Sequence, residues 1–183
     1  MNKSTLFLVS AALCHLTASA AYSACTTLSI DVPVTSIIFG DIPTSSAVIN
    51  VPALNINNDS SDCTEDFMVN VTTYSTRPNG THGWRIGNFA TDDVFQLCWQ
   101  FKGNLSTKPL FDISAICSSL GWNRFDAIAA SDQNGSSNAG FADDVSTGSV
   151  RNLWFQLTTP TETDINDEQT FYISITAAAQ DTF

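Results

Sequence analysis

Apolar and polar residues alternate in two runs near the end of the chain. Leu153, Phe155 and Leu157 alternate with Trp154, Gln156 and Thr158. After an acidic connection rich in Thr and Pro, Phe171, Ile173 and Ile175 alternate with Tyr172, Ser174 and Thr176. A period of two marks a β-strand with one buried face. Two such runs around a turn-rich connection predict an antiparallel pair. The same period recurs earlier. Phe67, Val69 and Val71 oppose Met68, Asn70 and Thr72, which predicts a strand over 66–74. Phe95, Leu97, Trp99 and Phe101 predict one over 93–102, with Gln96, Cys98 and Gln100 on its outward, polar face. Shorter strands are expected at 27–32 and 36–42, and 83–87 reads as a short strand or a tight corner. A longer one at 47–56 changes phase around Pro52, as a bulge or an edge position would. Pro43-Thr44-Ser45-Ser46 and Arg77-Pro78-Asn79-Gly80 are turn chemistry.

Residues 103–149 do not follow this pattern. They are rich in Ser, Gly, Asn, Asp and Ala. Within them, 109–120 fits a short helix or an irregular strand, 123–130 is ambiguous, and 132–148 reads as loop. A connection this long inside a compact domain is usually functional or has structure of its own. It is the first candidate segment for a specific interaction.

The chain begins as a secretory leader. Lys3 is followed by the apolar run 6–12 and then by small residues, with cleavage expected after Ala20 or Ala24. The apolar run is shorter than the ~20 residues a helical membrane span needs, and no later stretch reaches that length. Cys25 after Tyr22-Ser23-Ala24 is a weak match to a lipidation site, since Tyr stands where Leu is preferred. The expected organisation is thus a leader over 1–24 and one β-domain over 25–183, with 103–149 as an elaborated connection. Losing Lys3 takes the formal net charge from −11 to −12. That balance argues against nucleic acid and anionic membrane surfaces as partners.

The domain keeps Cys25, Cys63, Cys98 and Cys117. An even number in an exported chain predicts two disulfides, with three pairings open. Cys25–Cys63 and Cys98–Cys117 are favoured. The first ties down the N-terminus; the second closes the start of the central connection. A zinc site is disfavoured, because there is no CxxC and His82 is the sole imidazole after the leader.

Two acidic groups are candidate calcium ligands: Asp132, Asn134, Asp143 and Asp144, and Glu162, Asp164, Asp167 and Glu168. Hard cations take several oxygens from flexible loops, although neither group has EF-hand spacing. Apart from calcium, no cofactor is implied. Glycoside hydrolysis needs two carboxylates facing across a scissile bond, and Asp143, Asp144 and Glu162 on turns are poor candidates. There is no Gly-x-Ser-x-Gly elbow and no phosphate-cradling loop. Among the tryptophans Trp84, Trp99, Trp122 and Trp154, Trp99 shares the apolar face of its strand and reads as core, whereas Trp122 and Trp154 are the better candidates for surface contact with glycans. Sequons occur at Asn58, Asn70, Asn79, Asn104 and Asn134.

The series SIIFGDIP (36–43), ALNINND (53–59), DFMVNV (66–71), GWRIG (83–87) and the terminal LWFQL–TFYISITA runs resembles the Ig-like β-sandwich domains of bacterial surface and extracellular proteins. The resemblance covers about two thirds of the chain after the leader and implies an antiparallel sandwich of about seven to nine strands. It concerns fold rather than activity. The expected function is that of a secreted, non-catalytic subunit of a filament, pilus-like fibre, sheath or surface layer. It would associate with its own kind or with another surface subunit through strand edges or terminal strands. The alternative is a soluble glycan-binding module.

Overall fold

The computed structural model describes residues 6–11, 27–103, 108–110, 123–124, 133–134, 142 and 144–179. Thirteen strands follow in order: β1 (Leu6–Ala11), β2 (Ile30–Asp31), β3 (Ser36–Asp41), β4 (Ala47–Ile49), β5 (Leu54–Asn58), β6 (Glu65–Val71), β7 (Tyr74–Thr76), β8 (His82–Ile86), β9 (Val94–Lys102), β10 (Asn123–Arg124), β11 (Gln133–Asn134), β12 (Val150–Thr158) and β13 (Gln169–Ala179). Among the described residues there is no helix, so the all-β expectation holds. No described helix is therefore long and apolar enough to cross a membrane.

The strands form one open, curled, mixed sheet, a half-barrel. Its spine runs β11-β6-β13-β7-β8-β9-β12-β5-β2, with β4 added to β12, β10 to β9, and β1 lying between β13 and β3. One half is centred on β13 and β6, the other on β12 and β9. They join where β8 and β9 pair in parallel, Arg85 with Val94 and Ile86 with Phe95.

Apolar residues from both halves meet in a single core. Phe67, Val69, Phe171 and Ile173 come from one side; Leu97, Trp99, Phe155 and Leu157 come from the other. The Phe95 and Phe171 rings, 5.3 Å apart, and the Phe67 and Phe101 rings, 6.2 Å apart, bridge the halves.

Several expectations change. The two terminal runs are strands, but they do not pair with each other. β12 pairs with β9, β5 and β4, whereas β13 pairs with β6, β7 and β1. The connection between them crosses from one half to the other: the backbone N–H of Asp93 donates to the Glu162 carbonyl at 3.0 Å, and Trp84 Nε1 donates to Thr163 Oγ1 at 2.9 Å. Their alternating patterns face one core from opposite sides.

The expected strand at 47–56 is two strands, both paired with β12. Asn50 fills the interruption: its N–H donates to the Phe155 carbonyl at 3.1 Å, and its Oδ1 accepts the Phe155 N–H at 2.7 Å. Pro52, which has no N–H to give a ladder, lies in the gap.

The face of β9 expected to be polar and outward is buried as well. Gln96, Cys98 and Gln100 are at most 4% exposed. Cys98 packs with Ile49 and Trp154 in a second, small apolar cluster on that side of the sheet.

Residues 6–11, read from sequence as part of a leader outside the domain, lie inside the sheet. Six extended residues there supply backbone partners to two strand edges at once.

Phe155, fully buried between the halves, tests the shared core. Phe155→Ala is expected to cost about 3–5 kcal/mol, read as a lower urea midpoint with the m-value unchanged.

Candidate functional site

The site is the slot between β3 and β13. β1 fills it, parallel to β13 on one side and antiparallel to β3 on the other. Phe7 through Ala11 stand opposite Gln169 through Ile173. On the β3 side, Val9 stands opposite Ile37 and Leu8 opposite Ile38, with an irregularity before Phe7 meets Gly40. Gly40 has φ +76°, a backbone conformation that residues with a Cβ rarely adopt. It allows Phe39 to be skipped in the ladder, as at a β-bulge. The two walls alternate in exposure. Ile37, Phe171 and Ile173 are core residues, while Ile38 and Tyr172 are 61% and 42% exposed.

One end of the slot is held by Gln169. Its Oε1 accepts from Ser75 Oγ at 2.7 Å and from the Trp84 N–H at 3.2 Å, joining β7 and β8 to the start of β13. Gly83 permits this contact, because a Cβ there would sit 1.8 Å from Gln169 Oε1. Close by, Arg77 Nε donates to both carboxylate oxygens of Asp167, at 2.9 and 3.1 Å. This pair is about one third exposed and adds little stability.

Beyond the far end of the slot, where Glu65 stands opposite Ala179 of β13, lies a buried polar knot. The Cys63 carbonyl accepts from Asn58 Nδ2 at 2.8 Å, Ser60 Oγ at 2.8 Å and Thr147 Oγ1 at 3.1 Å. Glu65 Oε1 accepts the Ser29 N–H at 2.7 Å, fastening β2, while Oε2 has no hydrogen-bond partner. Burial raises the Glu65 pKa to about 7; the Ser29 N–H opposes the rise and nearby Asp59 adds to it. Sequence reasoning passed over Glu65. The signal present was an acidic residue at the start of a strand whose alternate positions are apolar.

The sequence-derived sites fare unevenly. Cys63 and Cys98 are both buried. No two described cysteines lie at bonding distance from each other, and Cys25 and Cys117 lie outside the described residues. Among the calcium candidates, Asp132 and Asp143 also lie outside them. Asp144 is exposed, and its N–H donates to Asp66 Oδ1 at 3.0 Å; Asn134 belongs to β11. Glu162 and Asp164 are exposed, and Asp167 is engaged by Arg77. Among the described residues no three His, Cys, Asp or Glu side chains converge as a metal site.

Trp154, expected at the surface, is 2% exposed. Packing against Ile49 and Cys98 removes it from glycan contact. Trp122 lies outside the described residues. The sequon residue Asn58 is fully buried in the knot, so a folded chain does not present it. Residues 70–74, Thr76 and His82 instead line an open depression of about 450 Å³. In it the Tyr74 and His82 rings stack at 4.7 Å.

No known protein family, curated protein or solved structure matches the chain.

The knot yields a pH prediction. A carboxyl whose pKa is raised on folding stabilises the fold fully below its unfolded value of 4.5 and loses that contribution as pH rises through about 7. Glu65→Gln removes the titration. The stability of the variant relative to the parent is expected to increase between pH 5 and pH 8, by at most about 3 kcal/mol, measured as paired urea midpoints.

Proposed function

We propose that the chain is an exported, non-catalytic structural subunit of a cell-surface or extracellular assembly, such as a filament, pilus-like fibre, sheath or surface layer, and that it associates through strand edges. The observation that carries this reading is the slot. Two facing strand edges are bridged by one extended segment, and that segment falls in the part of the sequence read as a removable leader. Exposed strand edges are natural templates for another chain.

The finer description of the fold belongs to the same proposal. An Ig-like sandwich is supported by the way two sheet halves share one core and by the buried tryptophans Trp84 and Trp99. Two disulfides, Cys25–Cys63 and Cys98–Cys117, suit a domain outside the reducing cytosol. Peptide mapping without reductant is expected to recover those two links; a Cys25–Cys98 or Cys63–Cys117 link would refute the pairing.

Electron microscopy of the native extracellular fraction, with the protein located by mass spectrometry, tests the assembly. Filaments or lattices containing the chain are expected. Dispersed monomers would overturn the reading.

The Tyr74–His82 stack favours a second reading, a soluble glycan-binding module. An exposed ring beside an open depression that also carries threonine and asparagine side chains suits a sugar face. Tyr74→Ala would then weaken retention on a polysaccharide column by roughly threefold to tenfold. Unchanged retention of the variant, or none by the parent, would remove this reading.

A further inference from the structure

We propose that the slot between β3 and β13 is, in the mature protein, a binding site for a β-strand donated by another polypeptide. The donor is an extended segment of at least five residues, apolar at alternate positions, running parallel to β13 and antiparallel to β3. The proposal rests on the reading of residues 1–24 as a leader that is removed from an assembling subunit.

β1 is the sole strand partner of β3 among the described residues. Losing it leaves two unpaired edges facing each other, Gln169 to Ile173 on β13 and Ser36 to Asp41 on β3. Unpaired backbone groups next to a core are costly. The two edges cannot satisfy each other in place. Strands on either side of a third are about 10 Å apart, twice the pairing distance. Closing that gap would carry β3 across the core with Ile37, which is 9% exposed, and with the adjoining Ile42, which is 7% exposed. A strand folding back from β13 through a tight turn would run antiparallel to it; the parallel arrangement needs a crossover of about a dozen residues or more. A strand from a separate chain meets no such constraint.

The walls specify the donor. Residues at one register position share a face of the sheet. Donor positions opposite Phe171 and Ile173 therefore adjoin core residues and require apolar side chains. Positions opposite Thr170 and Tyr172 lie on the half-exposed face and tolerate polar ones. Asp41, opposite Leu6, and Glu168, beside Gln169, place negative charge where the strand begins. A basic residue ahead of the apolar run is favoured there, and the leader carries Lys3 in that place in the sequence.

The test compares the full 183-residue chain with the chain lacking residues 1–24, the latter with and without a synthetic peptide of residues 3–12 (KSTLFLVSAA). The leaderless chain is expected to unfold at lower urea concentration than the full chain, or to remain unfolded. The peptide in excess is expected to restore the fold and raise the midpoint with its concentration. A peptide carrying Phe7→Asn and Val9→Asn is expected to bind at least roughly tenfold more weakly. Equal midpoints for the two chains with no peptide binding would overturn the proposal. So would a leaderless chain that stays unfolded in excess peptide while the full chain folds. Peptide-dependent stabilisation of a chain found only as monomers in native material would retain the slot and refute the assembly. Native polymers of a chain indifferent to the peptide would do the reverse.

Discussion

Backbone pairing along β13 is the constraint on which the other elements depend. Its eleven residues are bonded to β6 over most of their length, to β7 at Thr170, and to β1 on the other edge. Phe171, Ile173 and Ile175 on its inner face reach the core that the opposite half of the sheet also fills. A strand paired on both edges and buried on one face is held in register, because a slip of one residue would reverse every side chain. The curl of the sheet follows, since the halves must approach closely enough for Phe95 to meet Phe171.

Polar groups fix what apolar packing leaves undetermined. Gln169 ties β7 and β8 to the start of β13, and the Cys63 knot ties residues 58–65 to 145–148. Both are buried, and there a satisfied hydrogen bond matters mainly because an unsatisfied one is expensive. Glu65 is the exception within this order. It accepts one hydrogen bond and keeps one buried oxygen without a partner, and its burial raises its pKa despite that one bond. The slot differs from both knots in being lined by backbone edges, which accept any sequence of the right pattern. That property suits a surface for partners better than a surface for chemistry.

Local pattern was sufficient for much of the fold. Strands β6, β9, β12 and β13 lie where alternation places them, and Phe67, Val69, Phe95, Leu97 and Phe155 are core as that alternation requires. Period alone decides which face of a strand is buried, so these features are carried by neighbouring residues. Pattern does not decide which strand pairs with which. The β12–β13 hairpin was a reasonable reading of two alternating runs with a turn between them, and the turn instead crosses the core. Nor does pattern reveal a second buried face. Trp154, Gln96 and Gln100 alternate with core residues and so read as outward, yet they are covered. The slot lay beyond sequence reasoning for the same reason. Its walls, residues 36–41 and 169–173, are far apart in the chain, and only the tertiary structure brings their edges to either side of one strand. Alternation by itself determined an all-β chain and its inner face, because it acts over two residues. Strand order, the buried outer face and the slot depended on contacts between residues distant in sequence, which only the folded sheet supplies.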